Sequence, residues 1–294
     1  MSTVAITEGR VDANGVDFAY LAAGSGPLAL CLHGFPDTPW GWRHLLPALA
    51  EAGFRAVAPF LRGYAPSGLA PDGRYESGTL AMDAIALHDV LGGDAEAVVI
   101  GHDWGAMAAY GAANVAPQRW RRVVAASVPP ATVIAASLLD YDVIKRHTWY
   151  QFFLCNPLAD LAVPMHDLAF IERLWADWSP GYDGAADVAR VKEALRDPAN
   201  LSAALAYYRH TLGGGDQTPS LAEVQAATMS PPPVPTLYLH GVDDGCMPCP
   251  PQEALEDAFN TEGSRVQLIE GAGHFLQYER PREVTDAIVT FVTG

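Results

Sequence analysis

Five residues, Gly101-His102-Asp103-Trp104-Gly105, limit what this chain can fold into more than any other stretch. The run before them, Ala97-Val98-Val99-Ile100, is short, apolar and β-branched, and reads as a buried strand. The run after them, Ala106 to Ala113, is rich in small helix formers and reads as a helix lying close against a sheet. A strand that turns at once into a helix holds its apex residue in a strained conformation. Only small residues two positions away on each side let the backbone pass. The pattern is that of a nucleophile elbow with a carboxylate, Asp103, at the apex where serine is more familiar. An ordinary strand–helix turn with Asp103 as a helix cap would account for the aspartate but not for the paired glycines.

The chain around the elbow alternates strands and helices. Asn14-Gly15 sits between two alternating runs within residues 4–22 and predicts a hairpin. Strands are expected at Pro27–Leu32, Arg55–Pro59 and Val123–Ser127, with helices at Trp42–Ala52 and along Leu80, Ala84, Leu87 and Leu91. Such an order implies a mostly parallel sheet with helices on both faces. At Pro129-Pro130 the pattern changes, and up to about Met229 only helical periods appear. Pro231-Pro232-Pro233-Val234-Pro235 then acts as a stiff connector. Strands at Thr236–His240 and Arg265–Ile269 and helices at Pro251–Phe259 and Pro281–Phe291 follow. The expected organisation is an α/β core, 1–129 and 230–294, interrupted by a helical cap, 130–229.

In open α/β sheets, sites form at the carboxyl ends of the strands. Four such ends carry reactive residues here: His33-Gly34-Phe35-Pro36, Asp103, Gly241-Val242-Asp243-Asp244 and Glu270-Gly271-Ala272-Gly273-His274. Asp103, then a second acid, then His274 is the chain order nucleophile–acid–base of the elbow enzymes. A carboxylate at the elbow is already ionised and attacks saturated carbon, leaving an ester on the protein. That ester then needs an activated water, with His274 as base, and donors for the oxyanion. The backbone N–H groups of Trp104 and Phe35 are the expected donors.

These residues resemble the α/β-hydrolase superfamily and, within it, the soluble epoxide hydrolases. The resemblance covers almost the whole chain. It rests on His33-Gly34-Phe35-Pro36, Leu61-Arg62-Gly63-Tyr64, the elbow, and Gly271-x-Gly273-His274-Phe275. It implies a helical cap carrying two tyrosines that hold and protonate the epoxide oxygen. The first matches Tyr150 in Tyr150-Gln151-Phe152-Phe153. The second matches Tyr208 in Tyr208-Arg209, with its neighbour Tyr207 as the competing choice. The family pattern makes Asp244, rather than Asp243, the second acid. Where the family often has an acidic residue before Leu-Arg-Gly-Tyr, this chain has Phe60. The tryptophans Trp149, Trp175 and Trp178 are expected to pack the cap.

The implied activity is epoxide hydrolysis, with a small apolar epoxide and water as partners and neither cofactor nor metal. A haloalkane dehalogenase is the alternative, since it shares the elbow, Trp104 and the aspartyl ester. That family commonly takes its second halide donor from an Asn after His-Gly, where this chain has Phe35. A fold reused as a small-molecule receptor usually has a damaged triad, and this one is complete. The net charge of −16 argues against nucleic acid and anionic membrane surfaces. Met1-Ser2-Thr3-Val4-Ala5 shows no signal pattern, and no apolar run approaches the roughly 20 residues of a span. A cytoplasmic monomer or homodimer is therefore expected. Cys31 lies in an apolar run and reads as a core thiol. Cys246-Met247-Pro248-Cys249 has C-x-x-C spacing but no second pair to complete a zinc site, so two loop thiols are expected there.

Overall fold

The computed structural model describes residues 4–135, 137–213 and 218–294. Met1–Thr3 of the expected first segment, and residues 136 and 214–217 of the expected cap, lie outside the described residues. Asn14 and Gly15 both take positive φ, as a two-residue hairpin turn demands, and fold β1 (Thr7–Ala13) back onto β2 (Val16–Gly24). Six further strands follow: β3 (Leu28–Leu32), β4 (Arg55–Pro59), β5 (Val98–His102), β6 (Arg122–Ala126), β7 (Thr236–Gly241) and β8 (Arg265–Ile269). They join one eight-stranded sheet in the order β1-β2-β4-β3-β5-β6-β7-β8. From β4 to β8 every neighbouring pair is parallel, and the β1–β2 hairpin adds an antiparallel edge.

Helices cover both faces, which is why β3 and β5 are apolar at nearly every position and β3, β5 and β7 are all wholly buried. Between the early strands lie α1 (Leu45–Glu51), α2 (Ser77–Val90) and α3 (Trp104–Val115). Between β6 and β7 the described residues form helices and turns only. The longest are α4 (Trp149–Cys155), α5 (Met165–Trp178), α6 (Ala185–Leu195) and α7 (Pro198–Thr211). The core closes with α8 (Gln252–Ala258) and α9 (Pro281–Thr293). Leu46 and Leu49 of α1 share one apolar layer with Ile288 and Phe291 of α9, while α2 and α3 pack on the opposite layer.

The expected helix at Trp42–Ala52 is shorter than its sequence suggests. A 3-10 turn ends at Trp42, and α1 begins at Leu45. Pro47 has no N–H to give to a preceding turn, so the helix starts where proline falls in its first turn.

The strand order creates the site. β3 leads to β4 on one side of it, and the chain then crosses back to place β5 on the other. Such a reversal opens a crevice at the carboxyl ends of the two flanking strands. The loop after β3 carries Phe35, and β5 ends at the elbow. The helical insertion lies over this edge. Trp175 Nε1 donates to Pro36 O at 2.9 Å, Asn200 Nδ2 to Gly63 O at 2.7 Å and Tyr207 Oη to Arg62 O at 2.7 Å.

Candidate active site

Asp103 sits at φ 54° and ψ −120°, a conformation that L residues rarely adopt. Its paired glycines are needed for close approach. A Cβ on Gly101 would lie 2.1 Å from Gly105 O, and one on Gly105 would lie 2.2 Å from Leu32 O. Asp103 makes no side-chain bond to cap α3. Its carboxylate turns instead toward the crevice, where Oδ1 accepts the Phe35 N–H at 2.7 Å. The Trp104 N–H also bears on it. Burial pushes the Asp103 pKa up to about 6, against the pull of His274 and of these two backbone donors. The group is thus mostly ionised at neutral pH but weakly solvated, which suits an attacking carboxylate.

His274 Nε2 lies 3.7 Å from Asp103 Oδ2, and His274 Nδ1 lies 2.9 Å from Asp244 Oδ2. Asp244 Oδ1 accepts the N–H groups of Cys246 and Met247 at 2.7 and 2.9 Å, so the loop after β7 fixes the carboxylate. Asp243 points into solvent. The backbone of His274 is held three ways. Its N–H donates to Trp178 O at 2.9 Å, and its carbonyl accepts from Ser127 Oγ at 3.0 Å and sits 2.8 Å from His102 Nε2. Burial works against charge on the His274 ring. Cys246 and Asp244 work for it and win, holding its pKa well above the ordinary value. Burial pushes the Cys246 thiol up to about 11, so at neutral pH the lasting attraction is that of the Asp244 carboxylate.

A cavity of about 80 Å³ opens above Asp103, lined by Trp104, Met107, Ile134, Tyr150, Tyr208 and Met247 among others. Tyr150 comes from α4 and Tyr208 from α7, with ring centroids 5.8 Å apart. Tyr150 Oη and Cys246 Sγ share a hydrogen bond at 3.1 Å. Tyr208 Oη is buried and has no hydrogen bond of good geometry among the described residues. Burial holds both phenols neutral, with pKa values well above the ordinary 10. Tyr207 faces the other way, toward Arg62. A larger groove, lined by Tyr20, Trp40 and Arg190 and about 830 Å³ in volume, holds none of the expected site residues.

The sequence pattern of the α/β-hydrolase fold matches residues 27–281. Epoxide hydrolase A of Mycobacterium tuberculosis is 30% identical over 98% of both chains. This chain belongs to the α/β-hydrolase fold family and is epoxide hydrolase-like. An epoxide hydrolase of Caballeronia sordidicola is 29% identical over 99% of this chain and 94% of its own. The crystal structure of epoxide hydrolase A from Mycobacterium thermoresistibile superposes with a TM-score of 0.78 at 25% identity, covering 99% of each chain. Among the described residues no helix is long and apolar enough to cross a membrane.

Within this epoxide hydrolase-like fold, some contacts escape sequence reasoning. The C-x-x-C spacing carries no shared role: Cys246 turns inward to Tyr150 and His274, while Cys249 Sγ bonds the Pro250 carbonyl. The signal was the position of Cys246, two residues after the acid on a strand-end loop. Gln151 Nε2 reaches Tyr150 Oη at 3.3 Å. The tryptophans do more than pack the cap. Trp178 stands against both His274 and Tyr150, at 5.2 and 4.7 Å between centroids, and Trp175 stacks on Phe275 at 3.8 Å.

Proposed function

We propose that this chain hydrolyses a small apolar epoxide to a vicinal diol through an ester on Asp103, the core being 1–129 and 230–294 and the cap 130–229. The observation that carries the reading is the division of one carboxylate between two partners. Oδ1 takes the Phe35 N–H at 2.7 Å, while Oδ2 faces His274 Nε2 at 3.7 Å.

In the first step an Asp103 oxygen bonds to a ring carbon as the ring C–O bond breaks. The electron pair goes to the epoxide oxygen, which takes a proton from Tyr150 or Tyr208. In the second step His274, oriented by Asp244, removes a proton from water, which attacks the Asp103 carboxyl carbon. The oxyanion forms where the Phe35 and Trp104 N–H groups converge, and its collapse breaks the bond between the carboxyl carbon and the substrate oxygen, which takes the proton held by His274 as the diol leaves, while the proton of the regenerated Asp103 carboxyl returns to the tyrosinate. Loss of the Asp103 charge on esterification also removes a stabilising neighbour of protonated His274, which readies the ring to act as base. Halide displacement by the same carboxylate needs no proton, so it would leave both phenols idle. The Phe35 side chain also offers that reaction no second halide donor.

A His274→Gln variant tests the reading. It should form the ester and fail to hydrolyse it, so intact-protein mass spectrometry after mixing with a reactive terminal epoxide should find the mass of enzyme plus one substrate. An unmodified mass, with wild-type enzyme turning over the same epoxide, would refute the assignment of His274 to the second step alone. Chloride release from chloroalkanes without diol formation from epoxides would favour the dehalogenase.

A further inference from the structure

Three consecutive N–H groups of the loop after β8 are each satisfied at the end of cap helix α5 or by a side chain bonded to it. His274 N–H donates to Trp178 O at 2.9 Å, and Phe275 N–H donates to Ser179 Oγ at 3.0 Å. Gly273 N–H donates to Glu279 Oε2 at 2.9 Å, and the other oxygen of that carboxylate accepts the Ser179 hydroxyl at 2.6 Å. Trp178 O also accepts the Gly245 N–H at 3.1 Å, from the loop that carries Asp244. We infer that Trp178 and Ser179 form a strap from the cap that sets the spacing of Asp244 and His274, with Ser179 a positioning residue for breakdown of the ester.

Trp178 is the last residue of α5, so its carbonyl has no partner within the helix and both lone pairs are free. One oxygen therefore ties the acid loop to the base loop. Among the described residues the last direct backbone bond between the two loops, Asp243 N–H to Ala272 O at 2.9 Å, precedes both functional side chains. The strap lies too close for side chains beneath it. A Cβ on Gly245 would lie 2.0 Å from Asp177 O, and one on Gly273 would lie 2.5 Å from Trp178 O. Ser179 is fully buried, and its 2.6 Å bond has the length expected of a hydroxyl donating to a carboxylate. Locked supports of this kind hold a functional side chain to within about 0.5 Å of its working place. The 2.9 Å bond from His274 to Asp244 and the 3.7 Å gap from His274 to Asp103 both depend on where the base loop sits. Ring opening draws instead on Asp103 at the end of β5 and on the phenols of α4 and α7. The strap therefore bears on the second step, a conclusion that rests on the proposed roles of Asp103 and His274.

The test pairs a spectroscopic readout with a kinetic one in the full chain. The imidazole N–H that His274 shares with Asp244 should give a low-field proton resonance, identified by its loss in His274→Gln. In Ser179→Ala, with the thermal transition intact, that resonance should broaden and move toward the ordinary histidine position. Ester breakdown should slow by about 10- to 10²-fold while ester formation keeps the wild-type rate. The ester should then accumulate in single-turnover mass spectrometry with a terminal epoxide. Glu279 is only partly buried, so its variants carry the test if Ser179→Ala does not fold. Glu279→Ala should act like Ser179→Ala. Glu279→Gln should lose much less, because the amide can still accept from the Gly273 N–H and donate to Ser179 Oγ. A wild-type resonance with wild-type ester breakdown in both alanine variants would overturn the strap. So would an equal slowing of both steps with the resonance unmoved. The resonance does not depend on epoxide chemistry, so a chain that turns over no epoxide would still show whether Ser179 places His274 against Asp244.

Discussion

Replacing Asp103 by Asn should abolish turnover yet stabilise the fold at neutral pH. Burial raises the Asp103 carboxyl from an ordinary 3.8 to about 6. The folded protein therefore holds that proton more tightly than the unfolded chain does. The stability this provides is full below about pH 4 and is lost as pH rises through about 6. The gap between 3.8 and about 6 corresponds to about 3 kcal/mol, which the ionised group costs the fold at pH 7.5. The amide is nearly isosteric, and its oxygen can accept the same Phe35 N–H, so the elbow keeps its positive φ and its oxyanion donors. Urea unfolding should find Asp103→Asn more stable than wild type by about 2–3 kcal/mol at pH 7.5, and by under about 1 kcal/mol at pH 4. Equal effects at the two pH values, or a loss at pH 7.5, would refute the idea that desolvation of this carboxylate is a standing cost to the fold.

Tyr150→Phe and Tyr208→Phe should each slow ring opening by about 10- to 10³-fold, and the double variant more, in single-turnover measurements. Wild-type rates in the double variant would remove the phenols from the mechanism. Asp244→Asn should slow breakdown of the ester far more than its formation, because the His274 tautomer is lost, while exposed Asp243→Asn should change neither. The reverse ranking in burst kinetics would make Asp243 the acid.

Much of this fold was legible in the chain because its signals are local. The glycines at 101 and 105 are demanded by backbone contacts within the elbow itself and against Leu32, and the hairpin turn by Asn14-Gly15. Every expected strand appears, since buried parallel strands leave continuous apolar runs. The order β4-β3-β5 did not come from any run, because crossovers are set by packing of whole layers. At the site, Tyr207 and Tyr208 are identical in type and separated by about 100° around a helix, so only the fold tells them apart. One bonds Arg62 O and the other lines the cavity above Asp103. Cys246 was hidden by its partnership in a spurious C-x-x-C, and Trp178 by the fact that its neighbours, His274 and Tyr150, are 96 and 28 residues away in sequence.

The source of the diol oxygen tests the central claim most directly. With Asp103 as nucleophile, the new C–O bond contains a carboxylate oxygen, and water adds to the carboxyl carbon where the Phe35 and Trp104 donors converge. In one turnover with excess enzyme in ¹⁸O-water, the diol should leave unlabelled, and the tryptic peptide containing Asp103 should gain the label. A labelled diol from that single turnover, with an unlabelled Asp103 peptide, would contradict the covalent mechanism and make Asp103 a general base.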